Sequence, residues 1–372
     1  MSDKDKGKAR SERSKIDNID KFMQMMDAKF GTNSLIRYGD NTTRMDIIAI
    51  PTGVSSFDHA TGVGGIPRGR VTEFSGPEAA GKTLLALRAI ATAQTMGGRG
   101  GFTDAEHALT PSFGELVGVD MDDLYIAQPD SAEQSFDITI EMASSGLFDV
   151  VVHDSVVALA TEAEIEGNEG IRGQLAQVLS TKLRKLVSMI HPNTAVICIN
   201  QIREKPDAKG MQKKTYTPGG RALKHYASLR VEITKLQTYI KGNTKVGHRA
   251  KAYINKNKVA PPFKFAEFDI DYTSGIDYIA DMVDTAIRVG IIQQNSSWFY
   301  IGDVKTLGRT ALMEAVKEDM GLAAMIQAEM KKANLIRGDG LIENDGRTID
   351  IETGEVSGGN IDGDQAQQDY NQ

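Results

Sequence analysis

The stretch GPEAAGKT, residues 76–83, constrains the fold of this chain more than any other feature. It fits the pattern G-x-x-x-x-G-K-[ST], in which a glycine-rich loop between a strand and a helix wraps a phosphate chain. The apolar segment VTEF precedes the loop, and the helix-forming segment TLLALRAI follows it. This context predicts a genuine P-loop, and a chance match in an irregular loop is the alternative.

Short apolar strands alternate with helical segments from about residue 47 onward. The strands are VTEFSG, GGFTDAE, FDVVVHDS and TAVICINQI, and helices such as LAQVLSTKLRKLVSMI lie between them. Such alternation places parallel strands side by side with helices on both faces. We therefore predict an α/β fold with a mostly parallel, twisted sheet flanked by helices.

Composition divides the chain into four parts. Residues 1–45 hold a charged segment and an amphipathic helix with Ile16, Ile19, Met23, Met26 and Phe30 at helical spacing. Residues 46–273 form the P-loop core, and residues 274–336 a small α/β C-terminal domain. Residues 337–372 form a tail, with nine acidic residues and one arginine after Arg337, which we expect to be unfolded. The first helix packs on its own core or docks on a neighbouring subunit, and the sequence leaves both open.

Several function classes are disfavoured by composition. The N-terminus lacks the apolar stretch of a signal peptide, and no apolar run approaches the ~20 residues that span a bilayer. The net charge of −7 argues against a general affinity for nucleic acids. The single cysteine, Cys198, lies in an apolar run and is expected to be a buried small hydrophobe. A cytoplasmic protein without membrane partners is predicted.

The P-loop and a second strand end predict a site for a nucleotide with Mg²⁺. Backbone N–H groups of the loop would face the phosphates, Lys82 would contact the β- and γ-phosphates, and the Thr83 hydroxyl would bind the metal. Asp154 ends the apolar run FDVVVHD and would hold the metal through water. His153 is expected on the opposite face of that strand, in the core. The loop residues concerned are Gly76, Pro77, Glu78, Ala79, Ala80 and Gly81.

A carboxylate near the end of the strand GGFTD is a candidate for activating water. Glu106 follows this strand, and a carboxylate there could orient water toward the γ-phosphate. Its neighbour Asp104 lies two residues earlier. The alternative is that this acidic pair caps a helix.

Seven segments together resemble bacterial RecA recombinases over about residues 17–335. They are GPEAAGKT, TDAEHAL, DVVVHDSVVAL, EAEIEG, INQIR, GGRALKHYASLR and NKNKVAPPFK. The resemblance implies an ATP- and Mg²⁺-dependent recombinase that forms a helical filament on single-stranded DNA. It would pair that strand with duplex DNA in recombination and repair. A helicase-like motor or a DNA-coating filament of the same fold, without strand exchange, is the alternative.

The resemblance also implies roles for residues outside the P-loop. Glu106 would activate water, Gln201 would sense the γ-phosphate, and Phe113 would stack on the adenine. Lys256 and Lys258 would reach the ATP of the adjacent subunit, so that the site is complete only in a filament.

A basic segment directly after Gln201 predicts a DNA-binding loop. Residues 203–224 hold seven Lys or Arg and two acidic residues, which could neutralise DNA phosphates. A solvated face is the alternative. With the family's other DNA-side positions, the candidates are Arg172, Arg184, Arg203, Lys205, Lys209, Met211, Lys213, Lys214, Gly219 and Gly220.

The chain departs from the family pattern near the base and in the DNA loops. Phe113 stands where the family has Tyr, and Thr110 stands where it has Asp, which predicts looser base selectivity. His225 replaces a family Phe, and both DNA loops differ in length. Such changes suit a divergent member, for example one carried by a phage. They leave open whether a repressor is cleaved on the filament.

Overall fold

The computed structural model describes residues 18–32, 34–37, 47–167, 173–205, 214–216 and 221–333, with three short strands between 342 and 357. The chain divides into two compact units, residues 1–47 and 48–372. In the first unit, residues 18–30 form helix α1. The helix ends at Gly31, which has φ 103° and whose N–H donates to Asp27 O. Glycine has no Cβ, so it adopts the left-handed conformation that ends many helices without steric strain.

The second unit begins with a core of strands and helices that alternate along the chain. Its strands are β1 (Ala49–Ile50), β2 (Ile66–Pro67), β3 (Arg70–Gly76), β4 (Gly100–Asp104), β5 (Leu124–Ala127), β6 (Val150–Asp154), β7 (Ala195–Gln201), β8 (Arg203–Lys205), β9 (Lys214–Tyr216), β10 (Leu229–Lys241), β11 (Thr244–Asn257), β12 (Phe265–Asp271) and β13 (Gly275–Ile276). Its helices are α2 (Ser55–Thr61), α3 (Lys82–Thr95), α4 (Pro111–Leu116), α5 (Ala132–Ser144), α6 (Glu162–Ile165), α7 (Gln174–Met189) and α8 (Ala222–Tyr226).

Nine of these strands form one sheet in the order β13-β12-β11-β10-β3-β7-β6-β4-β5. The six strands from β10 to β5 are parallel to their neighbours, and β11, β12 and β13 join them antiparallel. The prediction of a mostly parallel sheet flanked by helices is therefore confirmed. The antiparallel extension puts strands from late in the sequence close to the P-loop strand β3.

The two faces of the sheet carry different helices. Phe74, Val152 and Ile197 belong to an apolar cluster with α3, and we call this side the first face. Val71, Val151 and Cys198 point the other way into a cluster with α5, α7 and α8, which we call the second face. Because side chains alternate along a strand, each strand contributes to both faces.

Two sequence predictions concerned residues of the second face. His153 is buried, its Nδ1 lies 2.9 Å from Thr139 Oγ1, and burial lowers its pKa to about 3. Cys198 is also buried, and burial raises the pKa of its thiol to about 12. Both behave as packed core residues, as predicted.

The C-terminal part of the second unit has an apolar core of its own. It contains α9 (Tyr278–Arg288), β14 (Gln293–Asn295), β15 (Trp298–Ile301), β16 (Val304–Leu307), α10 (Arg309–Glu318) and α11 (Met320–Lys332). Val283, Leu312, Val316 and Ile326 are among its buried side chains. Helix α9 also contacts α2, where Ser56 N donates to Asp281 Oδ2 at 3.0 Å.

The acidic tail contains more local structure than the sequence suggested. Short strands β17 (Ile342–Asn344), β18 (Arg347–Ile349) and β19 (Val356–Ser357) form an antiparallel sheet. The rest of the tail lies outside the described residues, and the domain boundaries after 273 and 336 stay predictions. No helix in the described part of the chain is long and apolar enough to cross a membrane.

Candidate active site

The P-loop joins the end of β3 to the start of α3, and its two glycines are fixed by close packing. A Cβ on Gly76 would lie 2.0 Å from the carbonyl oxygen of Ile233 in β10. A Cβ on Gly81 would lie 2.6 Å from Ile270 Cδ1 in β12. Both glycines also have positive φ, and so does Ala79 at 52°. The backbone of β10 therefore excludes a larger residue at Gly76, whether or not a phosphate approaches, while at Gly81 the positive φ is what favours glycine.

A cavity of about 300 Å³ lies beside this loop. The residues predicted for the nucleotide that line it are Ala79, Gly81, Lys82, Thr83, Glu106, Phe113 and Asp154. Gly76, Pro77, Glu78 and Ala80 belong to the same loop but not to the lining. The N-terminus of α3 lies at this cavity, and the free N–H groups of a helix N-terminus favour the binding of anions.

The Lys82 ammonium lies against the loop itself. Its Nζ donates to Gly76 O at 3.0 Å and to Pro77 O at 2.7 Å. Burial lowers the pKa of Lys82, and the negative charges of Asp154 and Glu106 partly oppose that change. The loop thus holds a cation in place beside the cavity.

Thr83 and Asp154 form the oxygen pair expected of a magnesium site. Thr83 Oγ1 donates to Asp154 Oδ2 at 2.7 Å. Burial raises the pKa of Asp154 to about 6, although the bond from Thr83 lowers it. Mg²⁺ prefers hard oxygen ligands and keeps several of its waters. One hydroxyl and one carboxylate next to a phosphate loop fit that requirement.

The two acidic residues after β4 have different surroundings. Asp104 accepts hydrogen bonds from Ala108 N at 3.1 Å and from Leu109 N at 3.2 Å, so it stabilises the turn. Glu106 is exposed toward the cavity and accepts a hydrogen bond from Gln201 Nε2 at 2.8 Å. The helix-capping interpretation is therefore wrong for this pair, because the next helix, α4, begins at Pro111 after Thr110. Asp104 supports the turn, and Glu106 faces the cavity as the candidate for orienting water.

The lysines of the segment NKNK lie at the end of β11. Lys256 Nζ donates to Lys224 O at 2.8 Å and to His225 O at 3.0 Å, at the C-terminal end of α8. Burial and then the positive charge of Lys258 lower the pKa of Lys256, so the two ammonium groups lie near each other. Strand β11 ends at Asn257, and Lys258 is exposed just beyond it.

Two polar side chains of the cavity lining carry no signal in the sequence. His248 from β11 and Tyr272, just after β12, line the cavity, and His248 Nδ1 lies 3.2 Å from Tyr272 Oη. They come from the antiparallel end of the sheet, far along the chain from the P-loop. No spacing within the sequence marks them, because only the strand order brings β11 and β12 to this position.

The basic segment after Gln201 begins with a hairpin. Strands β8 and β9 pair antiparallel, with Arg203 opposite Tyr216 and Lys205 opposite Lys214. The sequence predicts a loop over the whole segment, so these two strands are a departure from that prediction. Other DNA-binding candidates lie outside the described residues, namely Arg172, Lys209, Met211, Lys213, Gly219 and Gly220. The structure therefore places only the backbone of Arg203, Lys205 and Lys214.

An open groove of about 400 Å³ lies between α7 and α8. Its lining includes Ser180, Arg221, His225 and Tyr226. Arg184 of α7 is exposed, and its Nε donates to Tyr226 Oη at 3.3 Å. In the sequence, α7 comes shortly after the first predicted DNA loop and α8 comes shortly after the second.

The loop after β3, the first turn of α3 and the end of β6 meet at one cavity, so the fold and the site define a nucleotide-binding protein of the P-loop class. Residues 17–277 match the RecA N-terminal domain family. The RecA protein of Symbiobacterium thermophilum is 44% identical over 320 residues, which cover 84% of this chain and 91% of that protein. The RecA protein of Chlorobium limicola is 42% identical over 335 residues, covering 89% and 95%. The chain belongs to the RecA recombinase family, which confirms the prediction from the seven motifs.

Proposed function

We propose that this protein is a DNA-dependent ATPase that polymerises on single-stranded DNA and catalyses homologous pairing and strand exchange. The observation that carries the proposal is the 2.8 Å hydrogen bond between Glu106 and Gln201. It joins the carboxylate beside the phosphate loop to the residue from which the basic segment begins. Hydrolysis and DNA binding would then be linked through one contact.

The hydrolytic step follows from the cavity residues. Lys82 would leave the carbonyls of Gly76 and Pro77 for the β- and γ-phosphates, which are stronger acceptors because they are charged. Glu106 would orient the attacking water and accept its proton. Thr83 and Asp154 would hold Mg²⁺, which neutralises charge on the phosphates. Phe113 offers its ring face to the base.

A filament would complete this site. Lys256 and Lys258 lie beside each other at the end of β11 and supply two positive charges. In the proposed assembly they meet the ATP of the adjacent protomer and stabilise charge that develops in the transition state. The apolar residues of α1 would dock on a neighbour. ATP use and assembly are therefore coupled.

The proposed DNA surface combines the basic segment with the groove between α7 and α8. Arg184, Arg221 and Ser180 could each contact a backbone phosphate, and such contacts are independent of sequence. Single-stranded and double-stranded DNA are the proposed partners, in the cytoplasm. A repressor that is cleaved on the filament is a further proposed partner, as part of a response to DNA damage.

Substitution of Glu106 tests the function. We expect Glu106→Gln to lower DNA-stimulated ATP hydrolysis by roughly 10²- to 10⁴-fold, the usual contribution of a general base. ATP-dependent binding to single-stranded DNA should persist, because the phosphate loop is unchanged. Glu141→Gln, the same chemical change at an exposed position of α5, serves as the control and should keep most of the activity. Steady-state ATPase assays and filter binding measure both.

Electron micrographs and a D-loop assay separate this proposal from related activities. Open helical filaments and D-loop formation by the parent protein support it. Closed rings that unwind duplexes would indicate a motor, and a filament that forms no D-loops would indicate a coating protein. A protein that stays monomeric, with turnover indifferent to oligonucleotides, contradicts the proposal.

A further inference from the structure

A row of buried polar side chains crosses the second face of the sheet next to the active site. Its centre is Glu73 in β3, whose side chain is fully buried. Glu73 Oε1 accepts a hydrogen bond from Asn200 Nδ2 at 3.1 Å, and Oε2 pairs with the guanidinium of Arg230. These residues come from three adjacent strands, β7, β3 and β10. A carboxylate with two donors from different strands connects the two halves of the sheet.

One end of the row reaches the γ-phosphate sensor. Asn200 directly precedes Gln201 in β7, so the two side chains lie on opposite faces. Gln201 contacts Glu106 on the first face, while Asn200 contacts Glu73 on the second. Asn200 Oδ1 is buried and has no hydrogen-bond partner among the residues that the structure describes. A buried acceptor without a partner is unfavourable. A shift of β7 that brought a donor to Asn200 Oδ1 would therefore stabilise the strand in its new position.

The other end of the row reaches the lysines that face the adjacent subunit. Arg230 lies opposite Lys256 in the register of β10 and β11, and opposite Glu73 in the register of β10 and β3. The charges of Arg230 and Glu73 both act on the Lys256 ammonium, in opposite directions. Lys256 in turn donates to the last carbonyls of α8, including His225 O. A displacement of Arg230 would therefore change both the position and the electrostatic surroundings of Lys256.

A purely structural ion pair is the simpler interpretation, since buried pairs are disruptive when one partner is removed. The two hydrogen-bonding partners of Glu73 distinguish it from that case. Asn200 is next to Gln201, which is proposed to sense the protomer's own ATP. Arg230 is opposite Lys256, which is proposed to contact the ATP of the adjacent protomer. We infer that Glu73 is a positioning residue that couples Gln201 to Lys256. The state of a protomer's own ATP would then change the contact of its Lys256 with the ATP of the adjacent protomer. This inference rests on the proposed function and adds the residues that connect a protomer's own ATP site with its contact to the adjacent ATP.

The variant Glu73→Gln tests the route with a minimal change in size. Its amide oxygen can still accept from Asn200, but its NH₂ group would face the guanidinium of Arg230, donor against donor. We expect ATP turnover on single-stranded DNA to lose its cooperative dependence on ATP concentration, with the Hill coefficient falling toward that of independent sites. The ATP concentration at half-maximal rate should rise by about tenfold, within the usual range of coupling between sites. The kcat at saturating ATP should fall by a smaller factor than this concentration rises, because Lys256 and Lys258 are both still present.

The control removes a carboxylate of similar type elsewhere in the same sheet. Asp149 pairs with Arg68 at 2.7 Å, ahead of the first residues of β6 and β3 and away from the P-loop. Asp149→Asn is expected to keep the parent's Hill coefficient. A loss of cooperativity in this control as well would indicate a general effect of weakening the sheet and would overturn the inference.

A double variant separates stability from coupling. Glu73→Gln with Arg230→Gln replaces the ion pair by two amides and leaves no buried guanidinium without a partner. We expect its thermal unfolding to approach that of the parent while cooperativity stays lost. Recovery of cooperativity in the double variant, or unchanged cooperativity in Glu73→Gln, would overturn the inference alone. Absence of DNA-stimulated turnover in the parent protein would overturn the proposed function and the inference together.

Discussion

Single side chains of the P-loop and of the neighbouring strand ends form the proposed nucleotide site. Lys82, Thr83 and Asp154 could be located from the sequence because a P-loop and a strand that ends in Asp have fixed spacings. Gly76 was assigned to the phosphate, yet the structure shows that the carbonyl of Ile233 would clash with any larger residue there. That reason could not be read from the sequence, since it depends on how β10 packs beside β3.

Thr110 gives a prediction about the base. It lies exposed at the start of α4, one turn before Phe113, where the family has Asp. We expect Thr110→Asp to raise the preference for ATP over GTP by about tenfold, the effect of one hydrogen bond to a charged acceptor. Ratios of kcat/KM for the two nucleotides measure it, and Ser112→Asp is the control. A parent protein that already hydrolyses only ATP would contradict the weaker selectivity inferred here.

Short elements connect the core to the segments around it. The strands of the parallel sheet were predictable because long apolar runs alternate with helices. The β8–β9 hairpin was not, since each strand has three residues and the stretch between them is polar. Without an apolar face there is no period-2 pattern to detect. The same limit applies to the contact between α2 and α9, which depends on polar residues far apart in the sequence.

The junction of α2 and α9 contains two buried carboxyl groups. Asp58 accepts a hydrogen bond from Thr52 N at 3.0 Å, and Asp281 accepts one from Ser56 N. Burial raises the pKa of Asp58 to about 7 and that of Asp281 to about 6, although Arg288 opposes the rise at Asp281. The folded protein thus keeps protons that the unfolded chain releases above about pH 4. Its free energy of unfolding should fall as the pH rises from about 4 to about 7.

Asp281→Asn tests this pH dependence at one of the two groups. The amide cannot ionise, so we expect the decline in unfolding free energy between pH 4 and pH 7 to shrink by about 1–3 kcal/mol. Urea unfolding at a series of pH values measures it. Asp284→Asn on the same helix is the control, because Asp284 is more exposed and pairs with Arg309. An identical pH profile in parent and Asp281→Asn would refute the assignment.

At the scale of the whole molecule, charge is distributed unevenly. The net charge is −7, but residues 338–372 contain nine acidic residues and one arginine. The remainder of the chain is therefore close to neutral and carries the basic segment after Gln201. Composition alone argued against nucleic-acid binding, whereas the distribution of charge allows it. The net charge predicted nucleic-acid binding poorly because the negative and the positive charges lie in separate regions of the chain.

Removal of the tail tests its effect on duplex DNA. The tail would compete with DNA phosphates for basic surface, and salt or Mg²⁺ would weaken that competition. We expect a protein that ends at Arg337 to capture duplex DNA several-fold faster at low Mg²⁺ and at nearly the parent's rate at high Mg²⁺. Strand-exchange assays over a range of Mg²⁺ concentrations measure it. A truncated protein with the parent's rates at every concentration would show that the tail is not inhibitory.

The C-terminal part of the second unit keeps its buried apolar side chains in a cluster separate from those of the large sheet. Local opening is governed by the contacts that are lost, so this part can open without disturbing the strands that hold the nucleotide. Heat or proteases would then act on the molecule in stages. A chain damaged late in its sequence would then keep the cavity beside the P-loop intact.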